Sequence, residues 1–303
     1  MRVSNSIIIA RSQLRLQQSM QGIDRVRDDI ATGVKIRKMS DNATDAWQLV
    51  RLGSSMRAIT QFRRNADTGI NRAQAEETAL NLLGNSLTRA IELGVSQSNA
   101  TASAESRLTV KKEVDQLINL AADLGNTRFA DEYLFGGTRA GEPPLQTPAP
   151  TTGSFSRLTD GGGNSVNPSG NLTLEVGDGK FVTPNHNATE VFIDTDALDA
   201  LRALSTALGN NDRTAIQAAA DRLTGSSNKV QALVGKNGAR INEMESAKVN
   251  LDVMEMNLTE YRADLRDTEI DKAMVELVGK QTLYQAAMSA TSRILGLSLA
   301  NYL

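Results

Sequence analysis

The chain contains no cysteine, and only 4% of its 303 residues are aromatic. Without cysteine it can form no disulfide, no thiolate nucleophile and no cysteine-ligated metal site. Hydrophobic residues nevertheless make up 40% of the sequence. This balance favours aliphatic seams between helices over an aromatic-lined pocket for a cofactor or small substrate.

The chain also lacks an excess of one charge and any long apolar run. Its formal net charge is −2 and its sequence pI is about 5.7, with no block of like charges, so we expect no nucleic-acid partner. No apolar run approaches the ~18 residues that a spanning helix needs, and we expect no membrane insertion. Residues 1–10 lack the apolar segment of a secretory signal, so export would not use a cleaved signal peptide.

Residues that could carry chemistry are few. The single histidine, His186, lies in a Pro- and Asn-rich loop and is predicted to be a surface residue. Asp194, Asp196 and Asp199 lack the glycine and terminal glutamate of a calcium loop, and Thr195–Asp196 is interpreted as a helix N-cap. We therefore predict no catalytic, cofactor-binding or metal-binding residues, no cofactor, and a protein that is not an enzyme.

Helical periodicity dominates both ends of the chain. Apolar residues recur at steps of three and four from Leu16 to Ile30, and Gly33 then predicts a stop. Candidate capping residues at 40–42 precede a long helix from Trp47 to Ile91, and a further helix is predicted up to Leu124. In the C-terminal third, one seam is predicted through Leu251, Met254, Leu258, Tyr261 and Leu265, and a second begins after a phase shift near Thr268.

The middle of the chain has a different composition. Residues 136–184 are dense in Gly, Pro, Thr and Asn, and short β signals occur at residues 172–176, 181–183 and 191–193. We predict a mainly α fold, in which both chain ends form a long antiparallel helical bundle or coiled coil and a small β-rich domain is inserted in the middle. We predict four parts. An N-terminal assembly helix (residues 1–45) pairs with a C-terminal assembly helix (residues 266–303), and residues 46–135 form a helical bundle with residues 196–265. Residues 136–195 form the inserted outer domain.

The outermost helices have only each other as partners within one chain. Burying a leucine or isoleucine is worth roughly 1.5–3 kcal/mol, whereas ordering the backbone of one residue costs roughly 1–2 kcal/mol. We therefore expect these helices to be loosely ordered in the monomer and to assemble with neighbouring copies. The predicted interface residues are Ile7, Leu14, Leu16, Ile23, Ile30, Ile270, Met274, Leu277, Tyr284, Met288, Leu295 and Leu299.

Charge is distributed unevenly between the two ends. Residues 2–72 are rich in Arg and Lys, whereas residues 252–276 are mainly acidic. Two interpretations remain open: these are solvated helix faces, or the basic N-terminal arm packs against the acidic C-terminal arm.

Several motifs resemble the flagellin superfamily. They are the opening residues 1–4, the stretch from Ile30 to Ile36 leading to residues 40–42, and residues 65–68. Within that superfamily, residues 133–138 (Tyr-Leu-Phe-Gly-Gly-Thr) and the ending 290–303 are similar to its hook–filament junction members. One departure follows Ser40: the family tends to have a proline after a Ser-Asp-Asp run, whereas here Ser40-Asp41 is followed by Asn42-Ala43.

The resemblance implies a structural subunit of the bacterial flagellum, exported unfolded by the type III apparatus. It implies a homo-oligomeric ring with hook-associated protein 1 on the hook side and flagellin on the filament side. It also implies a cytoplasmic export chaperone that recognises residues 283–303. The alternatives are a flagellin-type filament subunit and, more distantly, an enzyme carried on a helical scaffold.

Overall fold

The computed structural model describes residues 2–158 and 170–300, except for the side chains of residues 2–6, 8–9 and 294–300. Long helices from both ends of the chain pack together, and a small strand-containing region lies between them in the sequence. This confirms the predicted mainly α fold. The helices in the described ranges are α1 (Arg2–Thr32), α2 (Ala43–Gln97), α3 (Ala104–Gly125), α4 (Ala197–Gly209), α5 (Arg213–Arg266) and α6 (Ile270–Ala300).

The chain divides into two compact units. Unit 1 contains residues 1–58 and 254–303, and unit 2 contains residues 59–253. The division falls inside α2 and α5, so no helix terminus marks it. The four-part division given above stays a prediction.

The helix boundaries follow from local sequence. Gly33 has φ of +69°, a left-handed conformation that glycine adopts without strain, and α1 ends immediately before it. Asn42 caps α2, because its Oδ1 accepts hydrogen bonds from the backbone N–H groups of Thr44 and Asp45 at 3.1 and 3.3 Å. The helical break between α5 and α6 confirms the phase shift near Thr268.

Unit 2 has its own aliphatic core. Leu80, Leu83 and Leu87 of α2 are fully buried at steps of three and four residues, as expected for one face of a helix. They belong to one cluster with leucines of α4 and with Ile216 and Leu223 of α5. This core does not depend on residues outside unit 2.

Among the described residues, the strand-containing region has two small antiparallel hairpins: β1–β2 (Arg128–Phe129, Glu132–Tyr133) just before the predicted insert, and β3–β4 (Leu174–Gly177, Lys180–Val182) within it. Leu174 lies opposite Val182, which confirms the predicted hairpin in this stretch. The hairpin approaches α2 closely at Gly69, where an added Cβ would lie 2.5 Å from the Met244 sulfur and 3.3 Å from Leu174 Cδ1. Glycine therefore suits this close approach.

The strand predicted at residues 191–193 is wrong. Thr189–Ile193 forms a π-helical turn, closed by a 2.8 Å hydrogen bond from the Asp194 N–H to the Thr189 carbonyl. Phe192 is buried there and packs edge-to-face against Phe135, with ring centroids 5.4 Å apart. Three consecutive apolar residues fit a buried turn as well as a strand, and periodicity cannot separate the two.

The prediction that His186 lies on the surface is also wrong. Its exposed fraction is 2%, and Glu76 on α2 is fully buried beside it. The carboxylate oxygen Oε1 of Glu76 lies 2.6 Å from His186 Nδ1 and accepts the His186 backbone N–H at 3.1 Å. The partner lies 110 residues away in the sequence, so the local loop composition gave no sign of it.

Neighbouring side chains extend this buried polar cluster. Arg72, also on α2, donates from Nε to Asn185 Oδ1 at 3.1 Å and from Nη1 to Glu132 at 2.9 Å. Asn185 donates in turn to the Leu134 carbonyl at 2.5 Å. The loop that follows β4 is therefore fixed to α2 and to the β2 region by buried hydrogen bonds.

The helix start predicted at Thr195–Asp196 is correct, but Asp196 does not supply the cap. Its side chain pairs with Arg222 at 2.7 Å, and its φ is +65°. Thr195 Oγ1 instead accepts the Ala197 N–H at 3.4 Å. Over the described residues, no group of three His, Cys, Asp or Glu side chains could hold a metal ion.

We expect His186→Ala to lower the free energy of unfolding of unit 2 by about 1–3 kcal/mol, because it removes the side-chain hydrogen-bond partner of the buried Glu76. Urea unfolding of the purified protein measures this loss. The double variant Glu76→Leu/His186→Ala should lose less than the single variant, since it removes the buried carboxylate. An equal or larger loss in the double variant would contradict this role of the pair.

Candidate subunit interface

Helices α1 and α6 of unit 1 run antiparallel and are joined at one end by a short backbone bridge. The Thr268 N–H donates to the Gly33 carbonyl at 2.9 Å, and the Lys35 N–H donates to the Arg266 carbonyl at 2.8 Å. Lys35 Nζ adds a 2.6 Å bond to the Asp264 carbonyl. These bonds set the register in which the two helices pack.

The contact between the two helices is a narrow seam with heptad spacing. On α1 it includes Ile23 and Val26, which are 5% and 4% exposed. On α6 Ala273 is 8% exposed, and Lys280 lies along the seam with its Nζ 3.5 Å from the Gly22 carbonyl. Half-buried residues continue the seam at the same steps of three and four: Leu16, Ser19 and Ile30 on α1, and Leu277, Tyr284 and Ala287 on α6.

The other faces of the two helices expose large apolar side chains. Val275 and Leu283 of α6 are 75% and 69% exposed, although leucine and valine are usually buried. We call this set the outer apolar face. Its members are Ile7, Leu14 and Met20 on α1, and Ile270, Met274, Val275, Val278, Leu283 and Met288 on α6.

The predicted interface residues thus fall into three groups. Leu16, Ile23, Ile30, Leu277 and Tyr284 face the seam within one chain. The next five belong to the outer apolar face: Ile7, Leu14, Ile270, Met274 and Met288. The side chains of Leu295 and Leu299 lie outside the described residues.

The C-terminal part of the outer apolar face, with Leu283 and Met288, lies in a stretch without charge. Residues 281–292 of α6 contain no Asp, Glu, Lys or Arg. A helix that keeps one face in water normally carries charged residues on that face. An uncharged segment of a helix with exposed leucine and methionine instead marks a surface that a partner covers.

The basic N-terminal arm carries its own counter-charges. Arg37 pairs with Asp29 at 2.6 Å, and Arg25 lies 3.4 Å from Asp41. Asp41 accepts the backbone N–H groups of Lys38 and Arg37 at 2.9 and 3.1 Å. These two backbone hydrogen bonds, helped by Arg25, lower the pKa of the Asp41 carboxyl below its usual range.

We expect Ile23→Ala to weaken the α1–α6 contact, because it leaves a cavity in the seam, typically at a cost of about 2–5 kcal/mol. Hydrogen exchange read by mass spectrometry should show faster exchange in both helices and unchanged exchange in the core of unit 2. Leu14→Ala is the matched control, since Leu14 is 55% exposed and should leave exchange unchanged. Equal changes of hydrogen exchange in the two variants would contradict the proposed packing of Ile23 between α1 and α6.

We expect the turn at residues 37–41 to be stable at neutral pH and to loosen in acid. The pKa of Asp41 is lowered in the folded chain. The carboxylate therefore stabilises the turn above the ordinary aspartate pKa, and this stabilisation is lost as the pH falls through the pKa of Asp41 in the folded chain. Carbon-13 NMR of the Asp41 carboxyl should give a midpoint below about 3.9. Asp41→Asn should abolish that transition, and a midpoint above the ordinary value would contradict the assignment.

Comparison with known proteins agrees with this architecture. The model of the bacterial flagellin N-terminal helical region matches residues 3–140, and that of the flagellin C-terminal helical region matches residues 216–303. In the described residues, no helix is long and apolar enough to cross a membrane.

Individual relatives come from more than one part of the flagellum. The chain is 28% identical to the flagellar filament 31.3 kDa core protein of Treponema maltophilum over 88% of this chain and 87% of the relative. It is 25% identical to flagellar hook-associated protein 3 of Escherichia coli, over 95% and 97% respectively.

A solved structure shares the fold. The structure of a flagellar hook-associated protein from Vibrio parahaemolyticus superposes with a TM-score of 0.63 at 17% identity, over 75% of this chain and all of that one. The two matched family regions together cover most of the chain, including both helices of the candidate interface. The chain therefore belongs to the bacterial flagellin family and is a structural component of the flagellum.

Proposed function

We propose that the chain is the junction subunit between the flagellar hook and the flagellin filament. Its similarity to hook-associated protein 3 extends over 95% of its length, and residues 133–138 resemble the junction members of the family. The outer apolar face supports the assembly part of this proposal, because neighbouring subunits of a larger structure would remove this apolar surface from water.

In the proposed assembly, copies of the chain form a homo-oligomeric ring. Hook-associated protein 1 lies on the hook side and flagellin on the filament side. The five exposed predicted residues would contact neighbouring subunits directly: Ile7, Leu14, Ile270, Met274 and Met288. The seam residues Leu16, Ile23, Ile30, Leu277 and Tyr284 would act indirectly by holding α1 and α6 together, and Leu295 and Leu299 stay predicted members of the interface.

We also propose the remaining features that the resemblance implies. The chain would travel unfolded through the type III export apparatus. The absence of cysteine suits this route, because no disulfide can form on the way. A cytoplasmic chaperone would bind the C-terminal region from Leu283 onward before export. Residues 136–195 would form the outward-facing domain, and the role of the chain would be structural, without catalysis.

A second candidate function is a filament subunit. The Treponema maltophilum relative is a filament core protein and is 28% identical, against 25% for the hook-associated relative. The helical regions of the flagellin family match both ends of this chain, so helical periodicity cannot separate the two functions. Polymerisation of the purified chain does: short rings or caps support the junction role, whereas long filaments formed by this chain alone would favour the filament role.

We expect Val275→Lys/Leu283→Lys to abolish assembly while leaving the monomer folded, because it places two charges on the outer apolar face. Circular dichroism checks the fold, and sedimentation velocity together with swimming of cells that carry only the variant checks assembly. Leu108→Lys/Leu120→Lys is the matched control, since these α3 leucines are 49% and 46% exposed but lie in unit 2. Normal assembly of the first variant would contradict the proposed interface.

A further inference from the structure

Unit 2 contains a groove between α3 and α4. The two helices run antiparallel here, because Lys111 on α3 packs against Gly209 on α4 and Ser205 on α4 donates a hydrogen bond to Asp115 on α3. Residues 148–151 of the loop that follows β2 form a third wall. The groove has a volume of about 580 Å³, which falls within the range of about 300–1,000 Å³ that is typical of ligand sites. We call it the α3–α4 groove.

The walls of the groove are held in place by hydrogen bonds and a stacked arginine. Asn119 Oδ1 accepts the Ala149 N–H at 2.9 Å, and Arg202 Nη1 donates to the Gly153 carbonyl at 2.8 Å. The guanidinium carbon of Arg202 lies 3.7 Å from the centroid of the Phe155 ring, a cation–π contact. The groove is therefore formed before a ligand enters it, which lowers the entropic cost of binding.

The groove is elongated along the helices. Its lining on α3 extends from Leu108 to Asn119, which corresponds to roughly 16 Å at about 1.5 Å per residue. Ile118 on α3 and the rings of Pro148 and Pro150 add apolar surface to the lining. A linear ligand made of several units fits this shape better than a compact one.

The charges along the groove are balanced. Lys111 Nζ lies 2.6 Å from Asp115 Oδ2, and Arg202 Nη1 lies 3.7 Å from Asp199 Oδ1. An anionic ligand would lie close to Asp115 and a cationic ligand close to Lys111, and neither would find an unpaired counter-charge. The groove therefore favours an uncharged ligand.

Several polar groups of the lining are available to such a ligand. Over the ranges that the structure describes, Asn119 Nδ2 and the side-chain amide of Asn210 form no hydrogen bond. The Lys111–Asp115 pair places a donor beside an acceptor, and both groups can form further hydrogen bonds. Two adjacent hydroxyl groups of a sugar ring match this pair, because a hydroxyl can both donate and accept.

We propose that the α3–α4 groove binds a linear, uncharged oligosaccharide. Adjacent hydroxyl groups of one ring would bond to Lys111 and Asp115, while Asn119 and Asn210 would bond to hydroxyl groups of the neighbouring rings. The apolar faces of the rings would lie on Leu108 and on the prolines of the loop. This function goes beyond the junction role, because the groove lies in unit 2 and the outer apolar face lies in unit 1.

Binding of the full-length chain to an array of immobilised probes tests this proposal. The array carries neutral oligosaccharides of hexose and N-acetylhexosamine, acidic oligosaccharides that contain sialic or uronic acid, and proline-rich peptides. We expect binding to neutral oligosaccharides of two or more rings. Isothermal titration with the captured oligosaccharide in solution then gives its Kd.

Two variants remove polar groups from the groove. Lys111→Met and Asn210→Ala should each raise the Kd roughly tenfold, because each removes hydrogen bonds to the ligand. Lys112→Met is the matched control for the first variant, since Lys112 is exposed on α3 outside the lining of the groove, and it should leave the Kd unchanged. Circular dichroism confirms that each variant is folded.

The possible outcomes decide both the site and the class of ligand. Failure of every neutral oligosaccharide to bind would overturn the proposal, and so would equal Kd values for Lys111→Met and Lys112→Met. Binding of the acidic oligosaccharides alone, or of the peptides alone, would overturn the uncharged sugar as the ligand. None of these results would bear on the junction role, which depends on assembly through unit 1.

Discussion

The antiparallel contact between α1 and α6 sets what the rest of this molecule can do. A pair of helices buries one stripe of each, and the stripe here is narrow, with Ile23, Val26 and Ala273 as its buried apolar members. In the part of unit 1 that the structure describes, no third helix covers Val275 and Leu283 of α6, and both side chains are largely exposed. The apolar surface left over is the physical basis of the assembly proposed above.

Unit 2, in contrast, buries its apolar core within the single chain. Its core contains Leu80, Leu83 and Leu87 of α2 with leucines of α4 and α5, all deeply buried. Buried polar groups fix the loop after β4 to α2, as in the 2.6 Å contact between Glu76 Oε1 and His186 Nδ1. One unit therefore completes its core within a single chain, while the other leaves apolar surface for partners. This division suits a flagellar subunit, because one unit has a complete core in the single chain and the other keeps apolar surface for contacts with partners.

The sequence predicted the helices well because their signals are local. The heptad steps from Leu16 to Ile30, the left-handed stop at Gly33 and the cap at Asn42 each depend on residues within one or two turns. It could not predict contacts set by the fold. Glu76 reaches His186 across 110 residues, and residues 191–193 form a buried turn because Phe135 packs on Phe192. The apolar periodicity of the sequence also did not distinguish Leu277, which faces α1, from Met274, which is 46% exposed.

The central claim is that the outer apolar face of α1 and α6 is exposed in the lone chain and covered in the assembled flagellum. Hydroxyl-radical footprinting of the monomer and of isolated flagella, read residue by residue by mass spectrometry, tests it most directly. The account predicts strong labelling of Met274, Leu283 and Met288 in the monomer and a large decrease on assembly, with little change at Phe181, which is exposed in unit 2. Equal labelling of the three residues in both states would contradict it.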